Sequence, residues 1–544
     1  MRLRCGGQRF LVAGLVRSAA ASVAIAVALP LCAQTAPAGD SFRVSAIELR
    51  GSTLLTEADW KPVAATILDR DIGFADLEAA RARIEGLYRD RGWRLATVRI
   101  PAQETSTGVI RFEATEPVLS GITVSGNVNF SSQNWLAAFP SLKVGTMPDL
   151  HRLDRDLTLT NEHPAKRGEV VFLPGDKLSE LRAEIRAQDS PPASWLAFLD
   201  NTGNAQTGKL RYGLAYRDGA LWDRDHQINV QLISAPNASD NPNHFSLLPS
   251  DKVQIFGANY RIPFYARGAS LDATLGYSTV NSGTLANLFS VSGRGTIAGL
   301  RYTQLTDRVG DWEPRWFVAQ DYRKFENRAV FSGVNFAPDI EVHPVSAGIS
   351  ATRVGQGFNS GFNASLATNL PGGNRGGDQD FEANRAGASS RYKIVRFGAN
   401  YATVLGQGLL TATVDGQWTS DLLIPGEQFA AGGASTVRGF SERFVAGDRG
   451  LRFQLESQTA NLLDSSRFPE ASVRAAAFVD GGYLERNRPA ILERGYSSVA
   501  SVGLGLRLSY KRASFRLDAA LPVHQHTGQP STSGAVHFSA AIGF

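Results

Sequence analysis

From Trp195 to Phe544 apolar residues alternate with period two, and the charges keep to one parity. In SVGLGLRLSYK, Val502, Leu504, Leu506, Leu508 and Tyr510 share one face, while Gly503, Gly505, Arg507, Ser509 and Lys511 share the other. In SFRLDAAL, Phe515, Leu517 and Ala519 oppose Arg516, Asp518 and Ala520; in GLRFQLESQ, Leu451, Phe453 and Leu455 oppose Arg452, Gln454 and Glu456. A period of two is that of a strand and not of a helix. An arginine facing lipid at the bilayer midplane costs about 2–4 kcal/mol, so charges on one parity need water on that side and leave lipid to the other. Mainly β structure closed into a transmembrane β-barrel over 194–544 meets both demands. Segments near 195, 209, 225, 252, 268, 291, 315, 342, 358, 390, 407, 449, 472, 499, 513 and 535 make 16 strands. The even number puts both barrel ends on the periplasmic side. A soluble β-sandwich explains the alternation alone, without the inward charges or the features described next.

Residues 1–33 are of another kind. Arg2, Arg4, Arg9 and Arg17 precede the apolar run AAASVAIAVALPL, which ends at Leu31-Cys32-Ala33. That is the layout of a signal peptide, with cleavage expected near Ala33–Gln34. Removing it takes away four arginines and no acid, so the formal charge falls from +5 to +1. The basic excess therefore argues for no nucleic-acid partner. Both cysteines, Cys5 and Cys32, leave with the leader, so neither disulfides nor thiolate chemistry are expected in the mature chain. No later run reaches the roughly 18 apolar residues of a membrane helix.

Between leader and barrel the order β-α-α-β-β occurs twice, over 42–116 and 118–188. In the first copy Leu77, Ala80, Ile84, Leu87 and Tyr88 share a helix face, and Gly92 stands where a helix-ending glycine belongs. Arg81, Arg83, Arg89 and Arg91 read as solvated surface. The second copy has N-x-x-P, Asn161 to Pro164, before its last hairpin. The wording YRDRGW, IPAQ and GVIRF resembles that of POTRA (polypeptide-transport-associated) domains.

A long glycine-rich loop over 420–448, the sixth on the outer side, carries Val437, Arg438, Gly439 and Phe440. About forty residues on, FVDGG puts Phe478, Asp480 and Gly482 on the inward parity of a strand. An inward carboxylate in a crowded lumen needs a partner, and a guanidinium can meet it bidentately. Gly439 allows a tight turn, Phe440 can anchor the tip, and Gly482 leaves room for the loop. With Leu199-Asp200-Asn201-Thr202-Gly203, Thr207-Gly208 and Leu370-Pro371-Gly372-Gly373-Asn374, these residues resemble the TpsB family, the outer-membrane transporters of two-partner secretion that export haemolysins, adhesins and related large proteins. The resemblance implies a loop folded back into the lumen with Arg438 on Asp480. It also implies a secreted exoprotein, recognised through its N-terminal secretion domain, as the partner. No enzyme, cofactor or metal is expected, and a monomer is.

The chain closes on VHFSAAIGF, with Val536, Phe538, Ala540, Ile542 and Phe544 facing outward. Phe538, Ile542 and Phe544 read as the signal by which outer-membrane assembly machinery pairs with a strand edge, before the barrel enters the lipid bilayer. G-x-S-x-G, H-E-x-x-H, P-loop and C-x-x-C motifs are missing from the sequence, and the histidines are scattered, His151 and His163 on a helix and His524 and His526 in a loop. The alternative function is an assembly factor (insertase) of the same superfamily, which usually carries three or more POTRA domains where this chain has room for two. Between Gln34 and Phe42 there is no room for a plugging helix, so the sixth loop is expected to be the only plug.

Overall fold

The computed structural model describes residues 41–544 apart from 178, 204–208, 239–244, 280–283, 286–288, 291–293, 327–329, 332–333, 336–337 and 492. The leader 1–33, the segment after it to 40, and Thr207-Gly208 lie outside the described residues. The chain divides into two compact units, one of residues up to 128 with 138–160 and 167–188, the other of 129–137, 161–166 and 189–544.

The first unit is built from two small α/β layers. In the first, strands β1 (Ala46–Arg50), β2 (Thr97–Arg99) and β3 (Val109–Thr115) form the order β1-β3-β2, with β1 parallel to β3. Helices α1 (Glu57–Ala64) and α2 (Phe74–Asp90) supply the covering layer. The expected face of α2 is the buried one: Ile84 and Tyr88 are fully enclosed with Leu77 and Ala80, against Ile110 and Phe112 of β3. Burial of such side chains stabilises by about 1.5–3 kcal/mol each. Thr56 begins α1 by donating its amide to Asp59 at 2.8 Å, and Gly92 ends α2 with φ +87°, a conformation glycine adopts without strain. Arg81, expected to be solvated, is half-buried and bonded to Glu78, Glu85 and the Val98 carbonyl. Its helix spacing to the two acids is i−3 and i+4, which explains the pairing. In the second layer β4 (Val118–Ser125), β5 (Lys166–Pro174) and β6 (Glu180–Asp189) take the order β4-β6-β5, again with the first strand parallel to the last. The helix α3 (Leu150–Glu162) opens where Leu150 donates its amide to the Gly92 carbonyl at 2.9 Å.

The second unit is a closed antiparallel barrel of 16 strands. They are β7 (Ala193–Asp200), β8 (Arg211–Leu221), β9 (His226–Ala238), β10 (Phe245–Phe264), β11 (Ala269–Ser278), β12 (Arg294–Leu305), β13 (Glu313–Glu326) and β14 (Pro344–Gly355). There follow β15 (Phe358–Asn369), β16 (Lys393–Leu405), β17 (Gly408–Trp418), β18 (Arg449–Gln458), β19 (Ala471–Glu485), β20 (Tyr496–Tyr510), β21 (Ala513–His526) and β22 (Ala535–Gly543). Ile340–Val342 extends β14 on the same edge of β13 across His343. Each strand pairs with its neighbours in sequence, and β22 closes on β7 from Ser539 with Asp200 to Gly543 with Leu196. The expected parity holds on the outside, where Leu451, Phe453, Leu455, Val479, Leu504 and Leu506 are exposed for lipid. His524 and His526, expected in a loop, lie on the end of β21. There His526 stacks on Tyr496 at 4.6 Å, so the strand runs on past the lipid-facing stretch.

This unit also holds the N-x-x-P region. His163 lies one residue past α3 and meets the Gly219 carbonyl of β8 at 2.7 Å. Lys166 is fully buried, ion-paired to Asp225 at 2.7 Å in the β8–β9 turn, and donates to the side-chain Oδ1 of Asn134. The rings of Phe130 and Trp135 stand 4.5 and 4.7 Å from its ammonium.

Candidate functional site

Parity of the strands puts Glu456 of β18, Asp480 of β19, Arg507 of β20 and Asp518 of β21 on the inner wall, and registers bring them side by side. Three carboxylates on adjacent strands repel unless cations are interleaved. Arg507 and Arg516 come from the wall itself; the third cation comes from the loop between β17 and β18.

That loop runs inward. A short hairpin, Phe429–Ala431 with Val445–Gly447, makes its stem. At its tip Arg438 is 1% exposed and Asp480 is 0% exposed, which leaves neither able to satisfy itself with water. Arg438 donates through Nε to Asp480 Oδ2 at 2.7 Å and through Nη2 to Oδ1 at 2.7 Å. Its Nη1 donates to Glu456 Oε2 at 2.6 Å, and its backbone amide to Asp480 Oδ2 at 3.1 Å. Arg507 bonds the same Glu456 at 2.7 Å and lies 2.7 Å from Asp518, which Arg516 also bonds at 2.6 Å. The result is a charge-balanced set of three arginines and three carboxylates. The guanidinium of Arg438 lies 3.4 Å from the centre of the Phe478 ring, a cation–π contact on its remaining face.

The other expected residues fall around this contact. Val437 and Phe440 are fully buried in an apolar cluster with Ala431, Val445, Leu484 and Val499, and Phe440 packs on Phe444 at 5.0 Å. Gly439 has φ +89°, and its amide donates to His537 of β22 at 3.1 Å. At Gly482 a Cβ would stand 2.9 Å from the Cβ of Ala431, so the loop stem occupies the room that this residue leaves. Phe538, Ile542 and Phe544 lie apart from the loop, on the outer face of β22 and at the chain end. Phe544 exchanges two backbone hydrogen bonds with Trp195, at 2.9 and 3.0 Å.

Sequence reasoning put Glu456, Arg507 and Asp518 on the inward parity without linking them to Arg438. Their common parity on neighbouring strands was the available signal. It missed the loop's other ties altogether. Glu427 accepts from Arg323 at 2.9 Å and Arg396 at 3.0 Å. Asp448 is held by Arg385, the Leu423 amide and the Asn487 amide. Leu422, Leu423 and Ile424 are buried with Phe381 of the short helix α4 (Asp378–Asn384) and with Tyr392. Such partners are far apart in sequence and lie on loops, where periodicity carries no information.

Comparison with known proteins adds independent findings. Residues 180–508 match the family described as haemolysin secretion/activation protein ShlB/FhaC/HecB. Residues 42–116 match the POTRA domain of ShlB type. The outer membrane transporter CdiB of Escherichia coli O6:K15:H31 (strain 536 / UPEC) is 24% identical over 499 residues, 89% of this chain and 79% of the relative. The CdiB of Dickeya dadantii (strain 3937) is 23% identical over 478 residues, 85% of this chain and 80% of the relative. The solved structure of CdiB from Escherichia coli superposes with a TM-score of 0.74 at 20% identity, over 95% of this chain and 93% of that one.

Proposed function

The chain belongs to the ShlB/FhaC/HecB family of haemolysin secretion/activation proteins, and we propose that the Arg438–Asp480 contact holds its pore shut until an exoprotein arrives. It is an outer-membrane transporter of two-partner secretion, a barrel in the outer membrane with POTRA domains in the periplasm. The cargo is a large exoprotein that reaches the periplasm unfolded. Its N-terminal secretion domain adds as a strand to a POTRA sheet edge, for which β1 and β2 of the first sheet, each paired on one side to β3, provide the template. The cargo then threads the lumen while the sixth loop shifts, and folds outside. The working unit in this reading is a monomer, which a lumen enclosed by one chain's barrel supports.

The observation that carries this reading is the doubly hydrogen-bonded arginine of a loop on the buried carboxylate of a lumen strand. Removing one member of such a pair costs about 3–5 kcal/mol, because the other charge stays buried. Arg438→Ala and Asp480→Ala are therefore expected to leave the barrel inserted, abolish or strongly reduce secretion of the cognate exoprotein, and raise conductance in planar bilayers. Wild-type secretion and conductance in both variants would overturn the gate. Deleting 42–116 is expected to stop export from an inserted barrel, and surviving export would overturn the docking role.

A further inference from the structure

We propose that the lumen wall formed by β10 to β16 is a carboxylate-binding track, a row of arginines that holds acidic side chains of the extended polypeptide in transit. The proposal rests on the transporter reading and goes on to specify the chemistry of the path. A lumen cavity of about 880 Å³ is lined by seven arginines and four carboxylates. These strands lie across the strand order from β18 to β21, which carry the Arg438 network.

Two pairs of these arginines already hold a glutamate each. Glu427 of the sixth loop, 3% exposed, sits between Arg323 and Arg396 at 2.9 and 3.0 Å. Glu162 presents one oxygen to Arg261 and the other to Arg315, both at 2.7 Å. Between the pairs stands Arg301, whose guanidinium lies 3.5 Å from the Phe317 ring centre and which no ion pair engages among the described residues.

The spacing is regular. Arg301 is in register with Ala319 of β13, four residues from both Arg315 and Arg323. Four residues of strand span about 13 Å, and an extended polypeptide rises by the same 3.3–3.4 Å per residue. Acidic residues at i, i+4 and i+8 of an extended cargo therefore match the three stations. Guanidinium groups crowded in a narrow lumen repel one another unless anions are interleaved. Glu162 and Glu427 supply those anions at rest, with Asp321, bonded to Arg323 at 2.6 Å, and Asp272, cross-strand from Arg301, beside them. When the loop shifts, Glu427 leaves with it, and the donors it vacates, Nη1 of Arg323 and Nη2 of Arg396, take a carboxylate from the entering chain while Asp321 stays on Nη2 of Arg323. Glu427 is thus a resident competitor that couples loop movement to cargo occupancy.

The test uses the full-length protein in detergent micelles and a fluorescently labelled oligoglutamate, with oligoglutamine and oligolysine as controls, read by anisotropy. Oligoglutamate is expected to bind and both controls to fail. Glu427→Gln should tighten binding by about ten-fold, the equivalent of one charge-assisted hydrogen-bonding competitor. Arg301→Gln should weaken it by a similar factor, and Arg323→Gln/Arg396→Gln in the Glu427→Gln background should remove it. Heat-modifiable gel migration reports that each barrel is folded. Arg301→Gln breaks no ion pair and carries the test where the double substitution does not fold. Equal binding of oligoglutamate and oligoglutamine, or unchanged affinity in both Glu427→Gln and Arg301→Gln, would overturn the track. Secretion of the exoprotein by a wild type that does not bind oligoglutamate overturns the track and leaves the transporter reading standing. Specific oligoglutamate binding by a protein that secretes no exoprotein does the reverse.

Discussion

Arg438 faces two direct carboxylate partners, Asp480 and Glu456, and lies 3.7 Å from a third, Asp518. Loss of either end of the contact is therefore unequal. Arg438→Ala leaves three buried carboxylates with Arg507 and Arg516 alone; Asp480→Asn keeps one acceptor for Nη2 and leaves Glu456 to balance the arginine. Open probability in bilayers should rise more in Arg438→Ala than in Asp480→Asn. The double variant Arg438→Ala/Asp480→Ala should fall short of the sum by at least about 1.5 kcal/mol, as expected for residues in one hydrogen-bonded network; full additivity would show that the two act separately. A second residue sets a pH dependence away from the membrane. Asp156 of α3 is 3% exposed, and burial raises its pKa from 3.8 to about 6 against the opposing hydrogen bonds of Ser141. With the folded value above the unfolded one, the fold favours the protonated form. Its contribution is full below pH 3.8 and is lost as pH rises through about 6, an effect on the order of 3 kcal/mol. Asp156→Asn should thus protect the periplasmic unit at neutral pH and flatten the difference between pH 4 and 7, read by hydrogen exchange on the full protein.

The elements show where the barrel closes least completely by backbone pairing alone. Strand β7 spans eight residues, and its ladder with β22 covers the five pairs from Ser539 with Asp200 to Gly543 with Leu196. Beyond it a side chain takes over. Asn201 donates through Nδ2 to the Val536 carbonyl at 2.7 Å and accepts through Oδ1 from the Phe538 amide at 2.9 Å. The amide group thereby imitates a peptide unit and lengthens the seam. Asn201→Ala should lower the temperature at which the barrel loses its folded gel mobility, through two lost hydrogen bonds at about 0.5–1.5 kcal/mol each; an unchanged transition would show the seam indifferent to this residue. Asn201 stood out in the sequence within Leu199 to Gly203, yet nothing there revealed its partners, 335 and 337 residues away. That contrast holds for the fold generally. Strand parity and the α2 face were legible because each is a local period imposed by burial on one side. The beginning of β10 at Phe245, earlier than the expected 252, was not, since strands continue beyond the lipid-facing stretch where no alternation is required. Helix α4 and the hairpin inside the sixth loop were also missed, being held by contacts between loops. At the site, the partners of Arg438 beyond Asp480 needed inter-strand register, which a single sequence does not state.

At the scale of the molecule the question is whether the loop has to move. On the proposed reading, opening is driven by the cargo's own binding and folding, against a network whose one-sided rupture costs about 3–5 kcal/mol. A cargo that replaces Glu427 on Arg323 and Arg396 offsets part of that cost as the loop departs, whereas a static loop makes no use of such replacement. A tether separates the two cases. A Cβ at 482 would stand 3.6 Å from Cγ2 of Val437, the place a sulfur at 437 would take, so thiols at the two positions lie within reach of each other for the geometry a disulfide requires. Cys5 and Cys32 are the chain's two cysteines, and residues 34–544 contain none, so Val437→Cys/Gly482→Cys introduces a pair without competitors there. The single substitution Gly482→Cys controls for crowding against Ala431, which a Cβ would approach to 2.9 Å. The oxidised double variant should insert normally, conduct poorly and retain its exoprotein in the periplasm. A reductant should restore secretion to the level of the single variants. Secretion that continues at that level through a demonstrably oxidised tether would mean that the cargo passes a loop still fixed to the wall, and the gate assigned to Arg438 and Asp480 would have to be abandoned.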